Sequence, residues 1–293
     1  MIGEAAIDRV VLVVLDGLRP DAVDAFDLAH VADLAARGAA TFTARTVTPS
    51  VTAAAMASLF TGLAPARHGV VSDRFHVPRR RGPIDPLPRV LAAAGFASSA
   101  FIGSLPRLYA GLARQIGRHV GIDRAVCSGD TARAIVAAAG PTLAQQRRGL
   151  IVMHWPDADR AGHEHGWMSR AYEAGARAMD AALGELVAAL ARDDHGGTLL
   201  IALADHGGGG AVVNDHDSTH PADQTIPIIL AGAGVEIGSL AGPVSLLDVP
   251  PTVLWALGVG CPPTYEGRPL VEAFIPLVTP LVAPVIAPVV AAA

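Results

Sequence analysis

Three runs of apolar residues place the strongest constraint on how this chain can fold. They are RVVLVVL at Arg9–Leu15, GLIVMH at 149–154 and TLLIALA at 198–204. Continuous, β-branched runs of this length are typical of strands that are buried on both faces, as in parallel sheets. Helical patterns separate them, the longest over 169–192. This alternation predicts an α/β fold, a three-layer α/β/α sandwich around a mostly parallel central sheet.

Shorter patterns complete the predicted architecture. Further helices are expected over 28–37, 52–62, 87–95 and 248–257, and further strands over 98–102 and 226–231. Residues 157–166 are polar and predict a loop. The stretch 71–148 is the least regular part and is expected to hold a small cap. We therefore expect one domain over residues 1–273, followed by an apolar, proline-rich tail over 274–293.

The charge balance and the tail limit the expected partners. The formal net charge is −5 at pH 7 with His neutral, and no strong basic patch is visible, which argues against a nucleic-acid polymer as partner. The tail has a proline at every fourth position. Because such prolines remove helical hydrogen bonds repeatedly, a membrane-spanning tail is not expected. We expect the tail to lie extended on the body or on a second copy in a homo-oligomer.

The cysteines and the N-terminus predict a cytoplasmic location. Cys127 and Cys261 are the only cysteines, and two distant cysteines do not indicate a disulfide framework. Residues 1–8 lack a basic region followed by an apolar core, and the first apolar run is too short for a signal peptide or a membrane span. We therefore expect a cytoplasmic protein with no membrane span.

The predicted strands end in acidic or histidine-bearing segments. The first ends at Asp16, the second at the segment 157–165, and the third at Asp205 and His206. In open α/β sheets, ligands bind outside the carboxyl ends of the strands, so these side chains are expected to meet at one edge. Aspartate and histidine are ligands that suit zinc and similar divalent ions. The pattern favours a metal site, although a single Asp after a strand is more often a cap or turn residue.

A hydroxyl near the start of a predicted helix is a candidate nucleophile. Thr52 follows Pro49 and Ser50 at the point where the helix over 52–62 should begin. A helix N-terminus offers free amide groups and a positive dipole end, which together can bind an anion. A hydroxyl there could also bind a metal and become an activated nucleophile. The alternative is that Thr52 or Ser50 only caps the helix.

Together, these segments resemble the alkaline phosphatase superfamily, and within it the nucleotide pyrophosphatase/phosphodiesterase-like branch, from residue 11 to about 270. The motifs that carry the resemblance occur in the family's order: LDGLRPD, TPSVTAAAMASLFTGLAPARHGV, DADRAGHEHG, ADHGG and HDSTHPADQTIPIILAGAGV. In the second motif the family's nucleophilic threonine precedes a Thr-Gly pair by nine residues, and here these are Thr52 and Thr61-Gly62. The resemblance implies an alkaline phosphatase-like fold and a phosphate ester as small-molecule substrate.

The resemblance also implies a site with two divalent metal ions, zinc being expected and manganese the alternative. One ion would be held by Asp159, His163 and His216, with His220 as the alternative to His216. The other would be held by Asp16, Asp205 and His206 and completed by the Thr52 hydroxyl. Thr52 would attack phosphorus and form a phosphothreonine.

One departure from the family concerns the substrate. The diesterase branch usually has an Asn three residues after its nucleophile, and this chain has Ala55. This weakens the diesterase interpretation more than the hydrolase interpretation, so a monoester and a diester both remain open. Besides the position of Ala55, the candidates for substrate contact are His165, Arg160 and His220. The alternative functions are a non-catalytic phosphate-ester binding protein on the same fold, or a sulfatase-type or phosphomutase-type relative.

Overall fold

Eight strands form one sheet in the computed structural model, which describes residues 7–74, 77–103, 107–127, 129–193 and 195–275. The strands are β1 Arg9–Leu15, β2 Ala39–Arg45, β3 Ser98–Ile102, β4 Arg124–Cys127, β5 Gly149–Trp155, β6 Thr198–Leu203, β7 Thr225–Gly232 and β8 Gly238–Ser239. Their order across the sheet is β4-β3-β5-β1-β6-β7-β2-β8. In this described part of the chain β7 alone runs antiparallel to its neighbours.

Helices connect the strands and cover the sheet. They are α1 Asp21–Ala25, α2 Ala29–Ala36, α3 Thr52–Thr61, α4 Pro65–His68, α5 Leu87–Ala93, α6 Arg107–Val120, α7 Ala132–Gln145, α8 Asp157–His165, α9 Arg170–Arg192, α10 Pro221–Gln224 and α11 Val249–Ala256. Short 3-10 turns lie at Leu246–Asp248 and Val271–Ala273. None of the described helices is both long and apolar enough to cross a membrane.

The helices form two layers, one on each face of the sheet. The helices α2, α7 and α8 pack on α9 in one layer, whereas α5 and α11 pack on α3 in the other. Every residue of β1 and β5 is buried as a result. This explains why their sequences are continuously apolar rather than alternating. The predicted three-layer α/β/α architecture with a mostly parallel sheet is confirmed.

The direction of β7 places one long connection at the edge where the site forms. The strand β6 ends at Leu203, and its antiparallel partner β7 begins at Thr225 on the same edge. The connection 204–224 therefore stays beside the carboxyl ends of β1, β5 and β6. It carries Asp205, His206 and His216.

Two expectations change when the fold is seen. The polar segment predicted as a loop is the helix α8, so that prediction was wrong. Within the stretch expected to hold a cap, β3 and β4 are strands of the central sheet, and the longest run without helix or strand is residues 71–86, where they are described. A covering role for these residues stays a prediction.

The expected oligomer contact falls on the tail, of which 276–293 lie outside the described residues. The cytoplasmic location also stays a prediction.

A buried arginine joins the sheet to the helix layer that contains α7 and α9, at the opposite edge of the sheet. Arg9 is fully buried at the start of β1. Its guanidinium donates to the carbonyls of Leu143 at 2.6 Å and Gln146 at 3.2 Å, and to Thr198 Oγ1 at 3.0 Å. Its Nη2 lies 3.0 Å from Asp193 Oδ2. Because a planar guanidinium donates in several fixed directions, one side chain connects β1, α7, β6 and the end of α9.

Replacing this arginine is expected to destabilise the fold strongly. Arg9→Met leaves the carbonyls of Leu143 and Gln146 without this donor and removes one of the two arginines at the Asp193 carboxylate, so we expect a loss of about 3 kcal/mol in the free energy of unfolding. Arg147 is the matched control because it contacts the same carboxylate at 3.0 Å while its side chain is 55% exposed. For Arg147→Met we expect a loss below about 1 kcal/mol. Urea unfolding of both variants tests this, and equal losses would contradict it.

Candidate metal centre and nucleophile

The side chains predicted to form the site do meet at the carboxyl edge of the sheet. Asp16 follows β1, and Asp205 and His206 follow β6. The helix α8 follows β5 directly and contributes Asp159 and His163. The turn after Asp16 lies against α8, because the Asp159 amide donates to the Asp16 carbonyl at 3.1 Å. Gly17 permits this approach, since a Cβ on its left-handed backbone would lie 2.9 Å from Asp159 Cα.

The helical form of α8 aligns two of the candidate ligands. Asp159 and His163 are four residues apart, so their side chains lie on one face of the helix. Asp159 Oδ1 lies 3.4 Å from His163 Nε2 and 3.7 Å from His216 Nε2. The two imidazole Nε2 atoms are 3.0 Å apart. These three atoms form the first ligand group.

A second group surrounds the candidate nucleophile. Thr52 Oγ1 lies 3.0 Å from His206 Nε2 and 3.5 Å from Asp16 Oδ1. His206 Nε2 lies 3.3 Å from Asp16 Oδ1 and 3.6 Å from Asp205 Oδ2. The amides of Gly17 and His206 donate to Asp205 Oδ1 at 3.3 Å and 3.1 Å, which leaves Oδ2 directed at the group. His206 Nε2 is also 4.0 Å from Asp159 Oδ1, so His206 lies between the two groups.

The imidazoles are held in the orientation that metal ligands require. The Nδ1 atoms of His163, His206 and His216 lie 3.1, 2.8 and 2.7 Å from the backbone carbonyls of Asn214, Gly207 and Ser50. A carbonyl only accepts, so each Nδ1 carries the proton. Each Nε2 therefore presents its lone pair to the cluster, as in histidines that bind metals in proteins.

The distances fit divalent cations better than they fit a network of hydrogen bonds. Zinc bonds of roughly 2.0–2.2 Å at tetrahedral angles place neighbouring ligand atoms about 3.3 Å apart, which is close to most separations in the two groups. Asp159 Oδ1 and Asp205 Oδ2 are buried and lack a hydrogen-bond partner. Unpartnered buried carboxylate oxygens are costly unless a cation binds them. The residues therefore fit the metal ions that the family uses.

Burial and mutual repulsion show why this cluster needs positive charge. Burial, together with repulsion from the Asp16 carboxylate, raises the pKa of Asp205 to about 6. The same two causes raise the pKa of Asp159 well above its ordinary value. Burial would also raise the pKa of Asp16, but the His154 and His206 imidazoles outweigh it and hold that pKa well below its usual range. Burial and the neighbouring His206 lower the pKa of His216 to about 3.

The structure adds His154, which the sequence alone did not single out as a ligand. It lies on β5 with 6% of its surface exposed, and its Nε2 is 3.2 Å from Asp16 Oδ2. Despite this distance, neither ring nitrogen has a hydrogen-bond partner. One donor atom each from Asp16, His154 and Asp205 lie within 4.8 Å of one another, as do those of a second set, Asp159, His206 and His216. His154 is therefore placed to support a cation at Asp16 and Asp205.

The other predicted contact residues lie outside this cluster. His220 Nδ1 accepts from the Ala222 amide at the start of α10, whereas His216 is in the first ligand group. Arg160 donates to the Asp130 carbonyl, and the exposed His165 lies beside Glu164. Ala55 is fully buried in the core. A substrate contact by Ala55, His165, Arg160 or His220 stays a prediction.

The segment that follows α3 is attached to it by a buried histidine. The Val70 amide donates to His68 Nδ1 at 3.0 Å, so Nε2 carries the proton that is shared with Ser58 Oγ, also at 3.0 Å. Burial lowers the pKa of His68 to about 4, although Glu266 acts in the opposite direction. A proton on Nδ1 would break the contact with Val70. The histidine thus holds the turn after α4 only while it is neutral.

Acid is therefore expected to weaken this attachment. The pKa of His68 in the folded protein lies below its ordinary value of 6.5, so the unfolded chain binds the proton more tightly. The stabilisation of the folded protein by neutral His68 is complete above pH 6.5 and is lost as the pH falls towards 4. Comparing urea midpoints at about pH 7 and pH 5 for wild type and His68→Gln isolates the effect, since both share the other titrating groups. Equal pH dependence in the two proteins would contradict it.

A change at His154 is expected to act on the metal rather than on the fold. We expect His154→Gln to weaken zinc binding by roughly ten- to a hundredfold, because it removes a nitrogen that supports Asp16. Titration calorimetry on metal-free protein measures the affinity. His30→Gln is the matched control, because His30 is an exposed histidine on α2. Equal zinc affinity in wild type and His154→Gln would rule out a role of His154 at the metal.

Comparisons with known proteins agree with this geometry. The sequence matches the family described as type I phosphodiesterase / nucleotide pyrophosphatase over residues 10–122 and 125–228. Among curated proteins, the 2,3-bisphosphoglycerate-independent phosphoglycerate mutase of Synechococcus sp. (strain JA-2-3B'a(2-13)) is 34% identical over 142 residues, which are 44% of this chain and 25% of the mutase. The mutase of Saccharophagus degradans is 37% identical over 123 residues, 42% of this chain and 23% of that protein. This chain spans about a quarter of the length of these relatives.

Solved structures share the fold at low sequence identity. Mouse ectonucleotide pyrophosphatase/phosphodiesterase 5, an inactive threonine-to-alanine variant in complex with AMP, superposes with a TM-score of 0.73 at 15% identity, covering 92% of this chain and 100% of that chain. The phosphonate monoester hydrolase of Silicibacter pomeroyi gives 0.69 at 17% identity, with 90% and 76% covered. A putative sulfatase from Bacteroides thetaiotaomicron gives 0.73 at 15% identity, with 91% and 74% covered.

These similarities show the fold, and the match to the family covers well over half of the chain. The resemblance inferred from the strand-end motifs is thereby confirmed. The chain belongs to the type I phosphodiesterase/nucleotide pyrophosphatase family of the alkaline phosphatase superfamily.

Proposed function

We propose that this protein hydrolyses phosphoric esters with Thr52 as nucleophile. The observation that carries the proposal is the position of Thr52 Oγ1, 3.0 Å from His206 Nε2 and 3.5 Å from Asp16 Oδ1 at the start of α3. A threonine that only capped the helix would not need to face buried metal-binding side chains. The mouse relative, described as an inactive threonine-to-alanine variant bound to AMP, supports the same role for a threonine.

The proposed metal ligands follow the two groups in the structure. Asp159, His163 and His216 would hold one divalent ion, and Asp16, Asp205 and His206 would hold the other together with the Thr52 oxygen. Zinc suits this mixture of imidazole and carboxylate, and manganese is the alternative. When bound, the ions would lower the pKa of the Thr52 hydroxyl and neutralise charge on the attacking and leaving oxygens.

The protein's own groups would divide the reaction into two steps. Thr52 Oγ1, having lost its proton, forms a bond to phosphorus while the bond to the leaving alcohol oxygen breaks, and that oxygen takes up a proton. Water then attacks the phosphothreonine, which releases phosphate or a phosphate monoester and restores the hydroxyl. The N-terminus of α3 would favour this chemistry, because Thr52 stands at its positive dipole end, where negative phosphoryl oxygens would be stabilised.

Transfer to a second hydroxyl group instead of water is the other candidate reaction. The curated relatives at 34% and 37% identity are phosphoglycerate mutases. Both reactions can proceed through a phosphorylated hydroxyl side chain, so the same site serves either. Product analysis with 3-phosphoglycerate separates them, since a mutase returns 2-phosphoglycerate whereas a hydrolase releases inorganic phosphate.

Removing the Thr52 hydroxyl is expected to abolish turnover without removing the metal. We expect Thr52→Ala to lower kcat on nitrophenyl phosphate esters by at least about a thousandfold, with the metal content unchanged by elemental analysis. Chelation should also remove activity, and zinc or manganese should restore it.

Thr61→Ala is the matched control, because Thr61 ends the same helix and donates to the Ala57 carbonyl. Near wild-type turnover in Thr52→Ala would exclude Thr52 as nucleophile. Ser50→Ala would then test the alternative hydroxyl, although Ser50 Oγ donates to the His216 carbonyl. A metal-loaded wild-type protein that cleaves neither monoesters nor diesters would overturn the proposed function.

A further inference from the structure

A carboxylate is bound to the backbone amide that directly follows the candidate nucleophile. Asp73 Oδ1 accepts a hydrogen bond from the Ala53 amide at 2.7 Å, and Ala53 follows Thr52 directly. Asp73 is exposed. Its carboxylate therefore places a negative charge at the first turn of α3, at the amide that follows the nucleophile.

The segment that carries Asp73 is held in place at two points along α3. His68 contacts Ser58 near the middle of the helix, and Asp73 contacts Ala53 at its start. Between them, Gly69 adopts a left-handed backbone with φ 78°, and a Cβ there would lie 2.6 Å from the backbone of Arg79. The return of the chain to the start of α3 is thus defined by packing, and the carboxylate position follows from it.

The Ala53 amide is a group that a bound phosphoryl oxygen would need. Attack by Thr52 Oγ1 requires phosphorus to approach to roughly 3–3.5 Å. The first amides of a helix have no partner within the helix and commonly bind such anions. A phosphoryl oxygen at this amide would compete with Asp73 Oδ1 or lie against it. Both arrangements bring negative oxygens close to the Asp73 carboxylate. The resulting repulsion weakens binding more for an ester with two negative charges than for an ester with one, because the repulsion scales with the charge.

We propose that Asp73 makes the site selective for singly charged phosphodiesters over doubly charged phosphomonoesters. A monoester carries close to two negative charges at neutral pH, whereas a diester carries one. A diester can direct its neutral ester oxygen towards Asp73 and its charged oxygens towards the metal-binding groups. This inference rests on the proposed hydrolase function and names the substrate class within it.

Asp73→Asn tests the charge while keeping the shape. The carboxamide oxygen can still accept from the Ala53 amide, so the turn is retained. We expect kcat/KM for 4-nitrophenyl phosphate to rise roughly ten- to a hundredfold relative to bis(4-nitrophenyl) phosphate. Asp33→Asn is the matched control, because it removes the same charge from an exposed position on α2. An unchanged ratio of the two substrates in Asp73→Asn would overturn the proposal.

A binding measurement separates this proposal from the proposed reaction. In metal-loaded protein with the Thr52→Ala change, Asp73→Asn is expected to tighten the binding of inorganic phosphate by about tenfold or more. Titration calorimetry measures this without turnover. Equal phosphate affinity with and without Asp73→Asn would overturn the role of Asp73. Tighter phosphate binding in this background would support Asp73 even if the metal-loaded protein with Thr52 intact cleaved no ester, which would refute only the hydrolase function.

Discussion

The concentration of negative charge at one edge of the sheet is the constraint on which the site depends. Asp16, Asp159 and Asp205 come from three strand ends and are brought together with little solvent between them. Carboxylates in such a place cannot all stay ionised without nearby positive charge, which is why the pKa values of Asp159 and Asp205 are raised. Divalent cations remove this conflict. Without metal, repulsion within the cluster opposes folding. With metal bound, the same side chains stabilise this edge of the sheet.

The strands were predictable because their burial leaves a direct mark on the sequence. β1, β5 and β6 are covered on both faces, so their residues are apolar apart from a few such as Arg9 and His154. β2 was not predicted, because its sequence AATFTAR contains buried, half-buried and exposed residues. It therefore lacks the continuous apolar run that marks the central strands. Its place is set by pairing with β7 and β8, and such pairing cannot be read from the strand's own residues.

The helix α8 shows how tertiary packing overrides local sequence preference. Its residues DADRAGHEH include a glycine and several polar side chains, so the pattern resembles a loop. The structure makes it a helix that packs on α9, with Trp167 against Gly162. The ligand positions Asp159 and His163 could be inferred from the resemblance, but their common face depends on the helix. His154 could not be inferred at all, since a lone histidine in an apolar strand is commonly a structural residue.

The start of α3 joins these observations in one place. Thr52 contacts the metal-binding side chains, which with bound metal would favour negative charge on the substrate, whereas Asp73 at the next amide would oppose it under our proposal. Solved structures described as a phosphodiesterase, a phosphonate monoester hydrolase and a sulfatase share this fold, so the fold alone does not select among substrates. The balance of charge around the reacting phosphorus can select among them. A residue in the segment after α4, outside the strands and helices of the fold, is therefore where substrate choice in this protein is best sought.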